Sequence, residues 1–200
     1  MLRPLPPVAR GFSVIELVVT VALIAILLAI SVPAYGTWTA DAHVRAAAES
    51  LTNAIRLTQA TAVAKGRTSL FALTADAQPS VDSVPAGSAQ NWFAALNVLS
   101  GSDETKASQG LILKSTEGTQ HRVQISGPAM VCFNALGRQA SLAATANSLA
   151  TACTAADPVV FQVSRSTGAS RAFNVLVSAG GRVRMCDAAK TISNANPDGC

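Results

Sequence analysis

Two short stretches of this 200-residue chain place charge where it is either costly or concentrated. The first is Glu16, the only charged side chain between Phe12 and Tyr35 in a run that reads FSVIELVVTVALIAILLAISVPAY. An unpaired carboxylate in hydrocarbon costs several kcal/mol, so one kept there needs a cation to neutralise it. The second is GGRVRMC, residues 180–186. In an extended strand Arg182 and Arg184 share a face, because side chains repeat every two residues. Two guanidiniums on one rigid edge suit phosphate oxygens and read no base sequence. Gly180 and Gly181 let the chain turn just before them, and Lys190 lies close by if the tail is tethered to the strand. The plainer reading of the same residues is protective, since cations on an edge strand discourage edge-to-edge pairing. Asp187 and Asp198 oppose a phosphate site, and no aromatic residue interleaves with the arginines to stack on bases.

The remaining chemistry-bearing residues form no catalytic constellation. Cys132, Cys153, Cys186 and Cys200 include no CxxC pair, and His43 and His121 are not at zinc-finger spacing from them, so no metal is expected. An even cysteine count beyond an apolar N-terminal segment reads as two disulfides in an oxidising compartment. Four cysteines allow three pairings, and closeness in sequence favours Cys132–Cys153 with Cys186–Cys200. His121, in HRVQIS, reads as a strand surface residue, and His43 as a solvent-facing residue at the start of an amphipathic helix. Asp103 and Glu104 sit together in a Gly/Ser loop and read as solvated. There is no GxSxG, HExxH, P-loop or dinucleotide fingerprint, so neither an enzyme nor a cofactor is expected.

Composition sets the frame. Half of the residues are apolar and 13% are charged, with a net charge of +4. Without residues 1–11 the chain loses Arg3 and Arg10, leaving 13 basic against 11 acidic residues, or +2. A balance that small does not mark a nucleic-acid binder, so any such role must come from a local cluster.

The elements that position these residues follow from periodicity. Residues 14–32 form an apolar run that spans roughly 28 Å as a helix, about the core of a bilayer. The basic leader before it places the N-terminus in the cytoplasm by the positive-inside rule. Pro33, helped by Gly36, is expected to kink or melt the helix. From Asp41 the pattern becomes amphipathic, with Val44, Ala47, Ala48, Leu51, Ile55 and Thr58 or Ala62 on one stripe, and Gly66 is a plausible C-cap. Read as one element, residues 12–65 make a helix of roughly 80 Å. Beyond it, TSLFALT, NWFAALNVL, GLILKS, HRVQIS, AMVCFN, VVFQVS and AFNVLVS read as strands. Residues 75–90 and 138–157 read as loops. A half-helix covering short antiparallel strands gives an α+β fold.

GFSVIELVVTVALIAILLAISVPAY resembles the N-terminus of type IV pilins and of the pseudopilins of type II secretion. Gly11, Phe12, Glu16 and Pro33 match that motif, while Ser13 and Val14 stand where Thr and Leu are usual. The resemblance implies a leader over 1–11, cleavage after Gly11 by a prepilin peptidase, and methylation of the new amine on Phe12. It further implies a transmembrane and filament-core helix over 12–36 and a head over 37–200. The head divides into a half-helix over 37–65, a β-rich region over 67–186 and a tail over 187–200. Glu16 then meets the Phe12 amine of a neighbouring subunit, and the pairing selects register in the filament. The alternative is an ordinary signal-anchor helix that tolerates one carboxylate near its end.

CFNALGR, the paired strands of residues 159–178 and the ending AGGRVRMCDAAK…NPDGC resemble the GspH/FimT group of minor pilins and pseudopilins. That implies a pilin fold and a place in the inner membrane with the head in the periplasm. Assembly with other major and minor pilins into an extracellular pilus of a Gram-negative bacterium would follow. A Gly-Arg-x-Arg motif in the FimT-like group is associated with capturing double-stranded DNA, without sequence preference, for natural transformation. Gly181, Arg182 and Arg184 match it, and Lys190 is the further candidate. The alternative is a GspH-like minor pseudopilin of a type II secretion system.

Overall fold

The computed structural model describes residues 11–98, 110–144, 151–168 and 170–200, without the side chains of residues 31–34. The leader up to residue 10 and the Asp103/Glu104 pair lie outside the described residues, and the backbone at Pro33 is helical, not melted. The chain forms two compact units, residues 1–39 and 40–200, and the long helix α1 (Val14–Lys65) contributes to both.

In the first unit α1 opens on a cap. The Glu16 backbone N–H donates to the Ser13 hydroxyl at 3.3 Å, and the Leu17 N–H donates to the Ser13 carbonyl. Ser13 and Glu16 thus have the Ser-x-x-Glu spacing of a capping box. Every large apolar side chain from Phe12 to Ile30 is exposed, none by less than 49%. The Thr20 hydroxyl donates to the Leu17 carbonyl, so this polar side chain is satisfied by its own helix. Such a helix, apolar on all sides, is stable only in an apolar surrounding. Among the described residues no single helix is long and apolar enough to cross a membrane. Val14–Ile30 and Tyr35–Lys65 meet that test together as a broken pair. Val14–Ile30 alone covers roughly 25 Å, the lower edge of a span.

The second unit is built on the amphipathic half of α1. Val44, Ala48, Leu51, Ala54, Ile55 and Ala62 are buried, and Thr58, also buried, turns its hydroxyl back to the Ala54 carbonyl. The helix ends in a Schellman motif at Gly66, whose φ is +62°. There the Gly66 N–H donates to Val63 and the Arg67 N–H to Ala62. The strands that follow sort into two antiparallel sheets. The first, in spatial order, comprises β4 (Leu111–Ser115), β3 (Asn91–Leu96), β1 (Ser69–Thr74), β6 (Met130–Phe133) and β7 (Gln139–Ala140). The second comprises β10 (Val183–Asp187), β9 (Phe173–Val177), β8 (Val159–Arg165), β5 (Val123–Ser126) and β2 (Ser88–Ala89).

The sheets differ in how many faces they bury, and their sequences record it. β1 is buried at every position. Phe71 and Leu73 enter the core beneath α1, while Leu70 and Ala72 join Phe93, Met130, Cys132 and Cys153 in a second cluster on the other face. A strand covered on both sides reads as a continuous apolar run, as SLFALT does. β8 instead alternates buried Val159, Phe161 and Val163 with solvent-facing residues, because only one of its faces meets the core.

Three elements depart from the sequence reading. HRVQIS is a strand only from Val123; His121 closes the short helix α2 (Glu117–His121), and Arg122 at φ +54° breaks the chain direction after it. Gly118 in α2 lies against the Gln90 backbone, where a Cβ has no room. The His121 ring stacks on His43, with centroids 4.1 Å apart, and both residues are exposed, as expected of His43 at the surface of the helix. β2 and β7 emerge within segments expected to be loops, and two residues are too few to show a period.

The tail is stitched down beside β10. The structure pairs Cys132 with Cys153 and Cys186 with Cys200. The second disulfide closes a loop with a sequence separation of 14, a constraint worth about 3 kcal/mol in the chain-entropy model. Within that loop the Asp187 N–H donates to the Asp198 carbonyl and the Cys200 N–H to the Lys190 carbonyl. Asp187 is buried and takes Arg171 at 2.9 Å, while Lys190 meets Asp198 at 2.6 Å and Asp187 at 3.9 Å. The Lys190 hydrogen bond, with smaller help from the charges of Lys190 and Arg171, holds the exposed Asp198 carboxyl below its ordinary 3.8. A carboxyl depressed in the folded state adds stability above its unfolded pKa and loses it as pH falls through the folded value.

Two outcomes follow from these contacts. In Lys190→Ala the Asp198 titration midpoint rises back toward 3.8, read by carboxyl NMR; an unmoved midpoint means that the pair does not form in solution. At Gly181, φ is +90° and a Cβ would meet the Gly137 carbonyl and the Gln59 amide. Gly181→Ala therefore lowers the unfolding free energy by about 2 kcal/mol or more, read as a lower urea midpoint. Gly180→Ala, where a Cβ meets only Ser178 Oγ at 3.8 Å, shifts it by less than about 0.5 kcal/mol.

Candidate functional site

Arg182 and Arg184 lie on one wall of an open groove of about 750 Å³. The other wall is α1, through Glu49, Thr52, Asn53 and Arg56. The strand wall exists because Val183 is anchored in the core, which turns its neighbours Arg182 and Arg184 outward. Gly181 makes this register possible, as it carries the chain out of the turn at a φ that other residues resist.

Each guanidinium is held differently. Arg184 donates to the Gly199 carbonyl at 2.5 Å, next to the disulfide at Cys200. Arg56 donates to the Val183 carbonyl at 3.2 Å, across the groove from its own helix. The Arg182 side chain is exposed, and its backbone N–H donates to Ser178 Oγ at 3.0 Å. The Thr52 hydroxyl is spent on the Ala48 carbonyl. Glu49, the one carboxylate among the described lining residues, is paired with Arg45 at 2.9 Å.

The two aspartates expected to oppose an anion are engaged elsewhere: Asp187 with Arg171 and Asp198 with Lys190. The same pairing withdraws Lys190. Expected to assist the arginines, its ammonium is instead offset by two carboxylates, because the disulfide brings Asp198 to it. Among the described residues, three guanidiniums, a neutralised carboxylate and no aromatic ring make a lining that attracts phosphate or carboxylate oxygens without stacking on bases.

Arg56 escaped the sequence reading. It lies off the apolar stripe of α1, as any solvated arginine would, and its partner Val183 is 127 residues away. No local pattern encodes that contact. The edge is also better covered than the sequence implied. β10 ends its sheet, yet Arg56 occupies the Val183 carbonyl and the tail accepts the Asp187 N–H.

The second candidate site is the start of α1. Phe12 and Glu16 are both exposed, and among the described residues no side chain pairs with the Glu16 carboxylate. Trp38 and Tyr35 stand exposed with their rings 6.1 Å apart, beyond the apolar run, the residue types favoured where hydrocarbon meets water.

No curated protein sequence matches the chain. Its fold is similar to that of the type IV minor pilin FimU of Pseudomonas aeruginosa PAO1. Against that protein's crystals in space group P21 the TM-score is 0.48 at 15% identity, covering 74% of this chain and 90% of that one. Against those in space group P65 the TM-score is 0.45 at 15% identity, covering 73% and 94%. Residues 7–32 match the prokaryotic N-terminal methylation motif, and Gly11, Phe12 and Glu16 all lie inside it.

Proposed function

We propose that the chain is a minor pilin of a type IV pilus that acts in pilus assembly or its initiation. A prepilin peptidase cleaves it after Gly11, and the Phe12 amine is methylated. It waits in the inner membrane with its head in the periplasm, and then packs with other major and minor pilins. The observation that carries this reading is a helix, apolar on every side, that opens on an exposed Glu16 inside the matched methylation motif. Lipid is its first apolar surrounding and neighbouring helices are its second. Moving from one to the other is nearly neutral for the apolar side chains, so a polar pair can decide the register. Glu16 supplies the anion and the Phe12 amine of the adjacent subunit the cation.

We further propose that the head holds double-stranded DNA, without sequence preference, through Arg182 and Arg184. The support is electrostatic: the groove carries guanidiniums whose nearby carboxylates are already paired. The edge-protecting alternative loses weight because Arg56 and the tail already cover β10.

Glu16→Ala is expected to remain in the membrane fraction and to be missing from sheared pili; incorporation at the wild-type level would falsify the assembly role. For DNA, binding of a duplex to the full chain in non-ionic detergent is titrated against salt. Two or three phosphate contacts give a log–log slope of roughly −2 to −3. Arg182→Ala/Arg184→Ala shrinks its magnitude by about 2. Equal slopes for the two proteins remove these arginines from the reading.

A further inference from the structure

We infer that Arg56 is a third phosphate-binding residue, and that the groove between α1 and β10 grips one phosphodiester strand from both walls. The inference rests on the DNA-binding reading above and adds to it a residue from the helix. Arg56, Arg182 and Arg184 are the cations of the lining, and they come from opposite sides of the same space. A volume of about 750 Å³ far exceeds a single phosphate ion and suits a chain of them. Arg182 and Arg184, two residues apart in an extended segment, have Cα atoms roughly 7 Å apart, the scale of neighbouring phosphates on one strand.

Arg56 is pre-positioned for this task. One of its terminal nitrogens donates to the Val183 carbonyl, which holds the planar group against β10. A guanidinium has five N–H donors, so the bond to Val183 leaves others for phosphate oxygens. Arg184 is arranged in the same way, with one nitrogen on the Gly199 carbonyl. The sole carboxylate of the helix wall, Glu49, is held by Arg45 and so opposes an anion less. Met185 and Val183 floor the groove with apolar surface, which raises the strength of the charge pairing above them.

The test uses the full chain in non-ionic detergent with a 12-base-pair duplex as the probe, titrated against salt. The proteins are the wild type, Arg56→Gln, Arg56→Lys and Arg182→Ala/Arg184→Ala. Arg56→Gln keeps a hydrogen-bond donor for Val183 and removes the charge. It is expected to weaken binding several-fold and to reduce the magnitude of the log–log slope by about 1, while the urea midpoint is unchanged. Arg56→Lys restores most of the slope. Wild-type affinity and slope in Arg56→Gln, with binding still lost in the double variant, overturns the role of Arg56 and leaves the DNA-binding reading standing. Absence of binding by the wild type overturns both. A lowered urea midpoint in Arg56→Gln, with no rescue of the slope by Arg56→Lys, assigns Arg56 to structure alone and also defeats the inference.

Discussion

The stripe of Val44, Ala48, Leu51, Ile55 and Ala62 on α1 is the surface on which the second unit depends. Its side chains share one core cluster with Phe71 and Leu73 of the first sheet and with Phe161, Val163, Val175 and Val183 of the second. Remove that stripe and neither sheet has a cover for its inner face. The residues are small or branched, so they pack at close range and leave little volume unfilled. The groove is a by-product of this arrangement. Val183 is drawn into the core, and the residues on either side of it face outward beside the helix.

Much of this was legible in the sequence, and where it was not the reasons are physical. The apolar stripe, the cap at Gly66 and the alternation in VVFQVS and AFNVLVS each express a local period. The double burial of SLFALT does not alternate, and it could be recognised as a strand only by its length and its neighbours. α2 was missed because EGTQH has no apolar period. Its placement depends on Gly118 fitting against Gln90, a contact between segments 28 residues apart. Of the candidate site, the arginine pair was visible because period two puts both on one face. Arg56 was invisible, since only the folded chain brings position 56 to position 183.

Charge in this molecule is arranged by pairing more than by number. A net charge of +4 is modest, and the tail gathers four charged side chains, Arg171, Asp187, Lys190 and Asp198, into one compensated cluster. In the groove Arg182 is exposed, and Arg56 and Arg184 each donate to a neutral carbonyl. A guanidinium held by a carbonyl contributes its charge to the surface, whereas the field of one held by a carboxylate is offset by its partner. The same distinction separates Arg184 from Lys190, six residues apart in sequence and opposite in electrostatic consequence.

The acceptor that orients Arg184 belongs to the residue beside Cys200. Without the Cys186–Cys200 bond the chain end is untethered and the Gly199 carbonyl loses its fixed place beside Arg184, while Val183 still holds the register of Arg182 and Arg184. The disulfide thus reaches beyond the tail it closes: by fixing Gly199 it sets where one guanidinium of the groove can point.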